Sequence, residues 1–148
     1  MTRYFEDIRA GEVIELGSVE VTREEVLEFA RRYDPQPFHV DEEAAAASPF
    51  GGVIASGWHT AAMFMRLFVE KILLGSASLG SPGVEELRWL HPVRPGDVLT
   101  GRVRVVETRP SERNPTRGTV ITDSEAINQD GEVVMRMRAR GFFARRAP

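Results

Sequence analysis

The chain has 148 residues, the length of one domain that buries roughly 70% of the surface its unfolded chain exposes. It holds no cysteine, which excludes disulfides, thiolate zinc sites, iron–sulfur clusters and a cysteine nucleophile, and leaves His39, His59 and His91 as the only imidazoles. A formal net charge of −3 speaks against a nucleic-acid binder.

That charge is unevenly spread. Residues 1–50 carry 12 acids and 5 bases, residues 51–100 carry 4 of each, and residues 101–148 carry 6 acids and 10 bases. Lys71 is the only lysine among 19 bases, and it follows Glu70 on a helical stretch, so Schiff-base chemistry is discounted. Met1 to Gly11 is mixed and charged, unlike a signal peptide. The longest apolar stretch, Trp58 to Leu74, is interrupted by Arg66, Glu70 and Lys71 and is too short and charged for a membrane span. A cytoplasmic protein with no membrane partner is expected.

Tyr4 to Glu15 reads as a loop and a short strand, and Ser18 to Val21 as a second short strand. Thr22-Arg23-Glu24-Glu25 matches a capping box, in which a hydroxyl and a carboxylate satisfy free amides at a helix start. Val26, Phe29, Ala30 and Tyr33 follow at i, i+3, i+4 and i+7, one apolar stripe, and Pro35 and Pro37 end that helix. Asp41 to Ala47 predicts a short helix. Ser48 to Gly52 is a loop. From Ser56 to Leu74 the apolar residues fall on nearly every side, which predicts a buried helix of about 25 Å. Gly75 to Gly83 reads as a loop.

Beyond Gly83 the period becomes two. Val103 and Val105 alternate with Arg102 and Arg104, and Val133, Met135, Met137 and Ala139 alternate with Arg136, Arg138 and Arg140. Pro95-Gly96-Asp97 and Asp130-Gly131 mark turns, and Arg109 to Arg117 a polar loop. The second half therefore predicts a meander of about four strands. A sheet that hides its inner face on one helix gives an α+β architecture within a single domain, residues 1–148. Its free edge makes a dimer the expected assembly.

Chemistry concentrates in two segments. Tyr33-Asp34-Pro35-Gln36-Pro37-Phe38-His39 sets a carboxylate and an imidazole five residues apart on a loop stiffened by two prolines. A rigid Asp/His pair suits acid–base work on a water, although a turn in which Asp34 caps and His39 fills space satisfies the same residues. Phe50 to His59 runs straight into the apolar helix, with Gly57 near its start. The positive dipole end and free amides there favour developing negative charge, and glycine permits close approach of a carbonyl. An N-cap at Ser56 with Gly57 serving only close packing is the equal alternative from this segment alone.

Asp34-Pro35-Gln36-Pro37-Phe38-His39 resembles the D-x-N-P-x-H hydratase motif of the MaoC-like dehydratases, the (R)-specific enoyl-CoA hydratase family. The V-D-E-E-A-A run that follows, G-x-I-A-x-G at 52–57 and P-V-R-P-G-D at 92–97 are similar to that family in the same order. The resemblance implies a hot-dog fold, a long central helix wrapped by an antiparallel sheet, and a homodimer or dimer of dimers. It implies Asp34 and His39 as the pair that activates water and moves a proton to or from the substrate α-carbon, with the Gly57 amide on the thioester oxygen. Gln36, Phe38, Gly52, Ile54, Ala55, Ser56 and Trp58 become expected substrate-binding positions. Gln36 departs from the family's Asn. The implied reaction is reversible addition of water to a 2-enoyl-CoA, with no metal and no cofactor beyond the coenzyme A that arrives on the acyl-CoA substrate. A hot-dog thioesterase and a non-catalytic acyl-CoA-binding subunit are the alternatives. His59 reads as a packed core histidine, His91 as structural at a strand end. The Arg136/Arg138/Arg140 row reads as a solvated strand face, or, with Arg88 and Arg94, as a contact for coenzyme A phosphates.

Overall fold

A computed structural model describes residues 1–147 of the chain. A single 3-10 turn at Phe5–Asp7 precedes strand β1 (Val13–Glu20). The two short strands expected here are one, because a bulge between Glu15 and Gly17 carries the pairing through, with Gly17 at φ +88°. Helix α1 (Arg23–Tyr33) begins at Thr22, whose hydroxyl accepts the Glu25 N–H at 3.2 Å, half of the expected capping box. Its buried stripe centres on Val26 and Ala30, and it stops before Pro35. Two short helices follow, α2 (Pro37–Val40) and α3 (Glu42–Ala46), the latter capped by the Asp41 carboxylate.

Helix α4 (Gly57–Phe68) continues without a break into a π-helical turn, Val69–Leu73. It crosses the inner face of a five-stranded sheet made by β1, β2 (Gly83–Trp89), β3 (Val98–Pro110), β4 (Arg117–Ile127) and β5 (Val133–Ala144). Met63, Phe64 and Leu67 of α4 pack with Val103, Ala126, Val134 and Met135 of the sheet. Burying each of the larger side chains contributes about 1.5–3 kcal/mol, and the extended-chain reference makes that an upper figure. This helix wrapped by an antiparallel sheet is the hot-dog fold.

Two expectations change. The strand order is β1-β3-β4-β5-β2, so only β3, β4 and β5 form a meander, and β2 crosses to pair with the far side of β5. Helix α4 is not buried all round: Trp58 is 60% and Met65 46% exposed, and Ala62 between them is also open. That apolar face lies outside this chain's own core. The polar loop after β3 is shorter than expected, since the strand runs on to Pro110 and β4 starts at Arg117.

The sheet's outer face carries paired charge. Asp123 accepts from both Arg104 and Arg138, Arg102 from β3 meets Glu15 on β1, and Arg140 meets Glu85. Exposed pairs of this kind contribute little each.

Candidate active site

The site is built where three connections meet at the start of α4. The Ile54 N–H bonds the Phe38 carbonyl at 3.2 Å, and the Ala55 N–H bonds the Val93 carbonyl at 2.7 Å. Arg94 reaches back, donating from Nη2 to the Phe50 carbonyl at 2.6 Å. The loop before α4 is thus stitched to α2 on one side and to the segment after β2 on the other. That stitching brings the Asp34–His39 loop against residues 54–57.

His39 is 5% exposed. Its Nδ1 lies 2.7 Å from the Ile54 carbonyl, an oxygen that only accepts, so Nδ1 carries the proton. Nε2 is then the nitrogen turned toward Asp34, 3.3 Å from Oδ2. The Phe38 ring meets His39 edge-on at 4.5 Å and leans on Phe50 at 5.2 Å, which fixes the plane of the imidazole.

Both oxygens of Asp34 are occupied. Gln36 Nε2 donates to Oδ1 at 2.7 Å, and the Ser56 hydroxyl donates to Oδ2 at 2.7 Å. Burial raises the Asp34 pKa, but the hydrogen bonds from Gln36 and Ser56 and the charge of His39 outweigh it and hold the carboxyl below its ordinary value. Ser56 is fully buried and also caps α4, accepting the Trp58 N–H at 3.3 Å. The next residue, Gly57, opens the helix, and among the described residues its own N–H meets no acceptor. Free amide, helix dipole and carboxylate therefore sit at consecutive points of one short path.

A cavity of about 280 Å³ adjoins this end of the helix, with His39, Ile54, Ala55, Gly57, Trp89 and Val93 among its walls. Of the expected substrate-binding positions, Ile54 and Ala55 line it. Gln36 and Ser56 are turned to Asp34 instead, and Phe38 supports His39. Gly52 faces Arg94, whose Nη1 lies 3.7 Å from where a Cβ would stand. Trp58 does not line the cavity, and it packs edge-on against Trp89 at 5.1 Å. Trp89 lies against Gly57 so tightly that a Cβ would overlap the indole. A second, strongly apolar cavity of about 300 Å³ opens further along α4, between Phe64, Met65, Phe68 and the inner faces of Val103 and Val120.

Of the other histidines, His91 lines the same cavity as His39, and His59 is not among its walls. His59 is 5% exposed and stacks on Phe29 at 4.8 Å, with Nδ1 unbonded among the described residues. Burial pushes its pKa down, against a smaller upward pull from Glu25. His91 is half exposed, with Nδ1 3.8 Å from Glu132. Among the described residues no group of three or more His, Asp or Glu is placed to hold a metal ion, and no helix is long and apolar enough to cross a membrane.

Sequence reasoning missed two parts of this arrangement. Nothing local marks Trp89, 32 residues past Gly57, as its cover. The Ser56 hydroxyl was legible as a cap but not as a donor to Asp34.

Residues 7–127 match the MaoC-like domain family. The chain is 30% identical over 138 residues to 3-hydroxybutyryl-CoA dehydratase of Methylorubrum extorquens, covering 90% of this chain and 83% of that one. It is 30% identical over 143 residues to (R)-specific enoyl-CoA hydratase of Rhodospirillum rubrum, covering 93% and 94%. Among solved structures it resembles a MaoC-like dehydratase from Rhodospirillum rubrum, with a TM-score of 0.89, 42% identity and coverage of 98% and 99%.

Proposed function

The chain belongs to the MaoC-like domain family, and from that premise we propose that it adds water reversibly to a 2-enoyl-CoA to give a 3-hydroxyacyl-CoA. The observation that carries this reading is the facing pair, Asp34 Oδ2 and His39 Nε2 at 3.3 Å, one residue's reach from the free Gly57 N–H.

With Nδ1 committed to Ile54, the Nε2 lone pair of His39 and the ionised Asp34 carboxylate present two acceptors to the same small space. A water can donate one proton to each, which leaves its lone pair directed at substrate. Its oxygen bonds to C3 of the enoyl thioester while its proton passes to the Asp34–His39 pair. The C2=C3 electron pair moves toward the thioester, and the charge on its oxygen is met by the Gly57 N–H at the positive end of α4. C2 then takes a proton from the pair. The sum is H and OH added across one double bond on one face, and dehydration is the reverse. No metal or redox group takes part, and coenzyme A enters with the substrate. The apolar cavity beside Phe64, Met65 and Phe68 has the character required for the acyl chain.

A second copy of the chain is the proposed partner. The open edge of β2, with Val84 and Trp89 exposed, adjoins the bare face of α4 at Trp58 and Met65. Covering that apolar surface and ending that edge by one contact is economical. Sedimentation should give a dimer or a multiple of it, and Trp58→Asp should shift the mass toward the monomer.

The deciding experiment presents short, long, branched and acidic 2-enoyl-CoA thioesters to the purified protein. Loss of the enoyl absorbance, abolished in Asp34→Ala and His39→Ala, is expected. Release of free thiol without hydration would replace the reading with a thioesterase. Binding without turnover across the panel would make the chain a non-catalytic acyl-CoA-binding subunit.

A further inference from the structure

Among the described residues Asp34 is the one carboxylate of the site, and its two oxygens are treated separately. Oδ1 takes a donor from the exposed Gln36 side chain, and Oδ2 takes one from the fully buried Ser56 hydroxyl, each at 2.7 Å. The buried Ser56 hydroxyl has no solvent to turn to, and the exposed Gln36 side chain is set by its backbone. Pro37 restricts the backbone of Gln36, and the Gln36 N–H turns back to the Asp34 carbonyl at 2.8 Å, so the side chain starts out aimed at its neighbour. The Ser56 hydroxyl already accepts the Trp58 N–H, which leaves its single proton for Asp34. A carboxylate gripped at both oxygens cannot rotate about its Cβ–Cγ bond without losing one donor.

We propose that Gln36 and Ser56 are positioning residues, one donor on each oxygen of Asp34, that hold this carboxylate in a single orientation facing His39 Nε2. This rests on the hydration reading above and extends it to two residues that do not themselves touch the reacting atoms. Ser56 ties Asp34 to the start of α4, because Ser56 and Gly57 are consecutive in the chain. Gln36 sets its rotation. Both donors favour the ionised carboxylate, since a protonated oxygen would have to give up one of them. A Gln reaches this oxygen from a backbone whose shorter counterpart, Asn, stops about one C–C bond, ~1.5 Å, earlier.

The test uses Gln36→Met, which keeps length without a donor, and Ser56→Ala, with Asp34→Ala as the reference. In Gln36→Met the acidic limb of kcat/KM should move up by about half a unit or more, and kcat should fall roughly tenfold with KM changed less than about twofold. Ser56→Ala should shift the limb the same way and also lower Tm, because it uncaps α4. Carbon-13 titration of the Asp34 carboxyl in parent and Gln36→Met reads the same shift without turnover. An unshifted titration and an unshifted acidic limb in Gln36→Met overturn the inference while hydration by the parent stands. A shifted titration in a parent that hydrates nothing leaves the inference standing and sinks the hydration reading instead.

Discussion

The indole of Trp89 rests on Gly57, closer than any side chain at position 57 would allow. β2 is the strand that crosses to the far edge of the sheet, and its last residue comes back to the first residue of α4. The ring can take this seat only because position 57 is a glycine.

Gly57→Ala should push Trp89 off its seat. Overpacking of this kind costs about 1–3 kcal/mol, and displacement of the amide should cut kcat by about 100-fold or more. In the double variant Gly57→Ala/Trp89→Ala the stability losses should be less than additive, because the clash has gone. Urea unfolding of the four proteins in the cycle measures the coupling. Strict additivity would show that the ring and the glycine are independent.

Asp34 ties stability to acid. Its folded pKa lies below the ordinary 3.8, because the donors of Gln36 and Ser56 and the charge of His39 overcome burial. The unfolded chain then binds the proton more readily, so the stabilisation is fully present above the unfolded value and is lost as pH falls through the folded one. Asp34→Asn should show a shallower decline of unfolding free energy below pH 4 than the parent. Parallel curves would mean that the carboxylate is no better held in the folded state.

His59 acts in a higher window. Burial depresses its pKa from 6.5, so the unfolded chain takes the proton first and stability falls as pH drops below 6.5 toward the folded value. His59→Phe, which preserves the stack on Phe29, should flatten the stability profile between pH 7 and pH 5. Denaturant midpoints at half-unit steps would reveal it. A slope as steep as the parent's would assign the acid sensitivity elsewhere.

Chain-length selection should reside one to three turns along α4. Met65 and Phe68 line the apolar cavity, whereas Met63 is packed into the core. Met65→Trp should reduce kcat/KM for an eight-carbon enoyl-CoA at least tenfold while leaving a four-carbon one within about twofold, since each lost methylene contact is worth about 0.8 kcal/mol. Equal losses for both substrates would move the acyl chain out of this cavity.

Local signals carried much of this architecture. Thr22 opens α1 and Pro35 closes it, as their chemistry demands, and the change of period after Gly83 marks the strands. The interval from Asp34 to His39 reads as a proline-stiffened loop, but its second half is the short helix α2 (Pro37–Val40), which Pro37 opens. What stayed hidden depends on contacts between distant segments. The crossing of β2 past β5 has no local signature, because period two says that a residue belongs to a strand and not which strand lies beside it. The face of α4 carrying Trp58, Ala62 and Met65 looked like core because apolar periodicity cannot distinguish a buried side from one left open. The Ser56–Asp34 bond spans 22 residues and depends on a loop folded back by Ile54, Ala55 and Arg94.

The single hydroxyl of Ser56 has one more consequence. It shields the Trp58 amide proton and grips Asp34 at the same time, so the two cannot come apart separately without leaving one partner unsatisfied. Deuterium uptake at that one backbone amide should therefore track whether the carboxylate is seated, and would supply a reporter of the site in the resting protein, with no substrate bound.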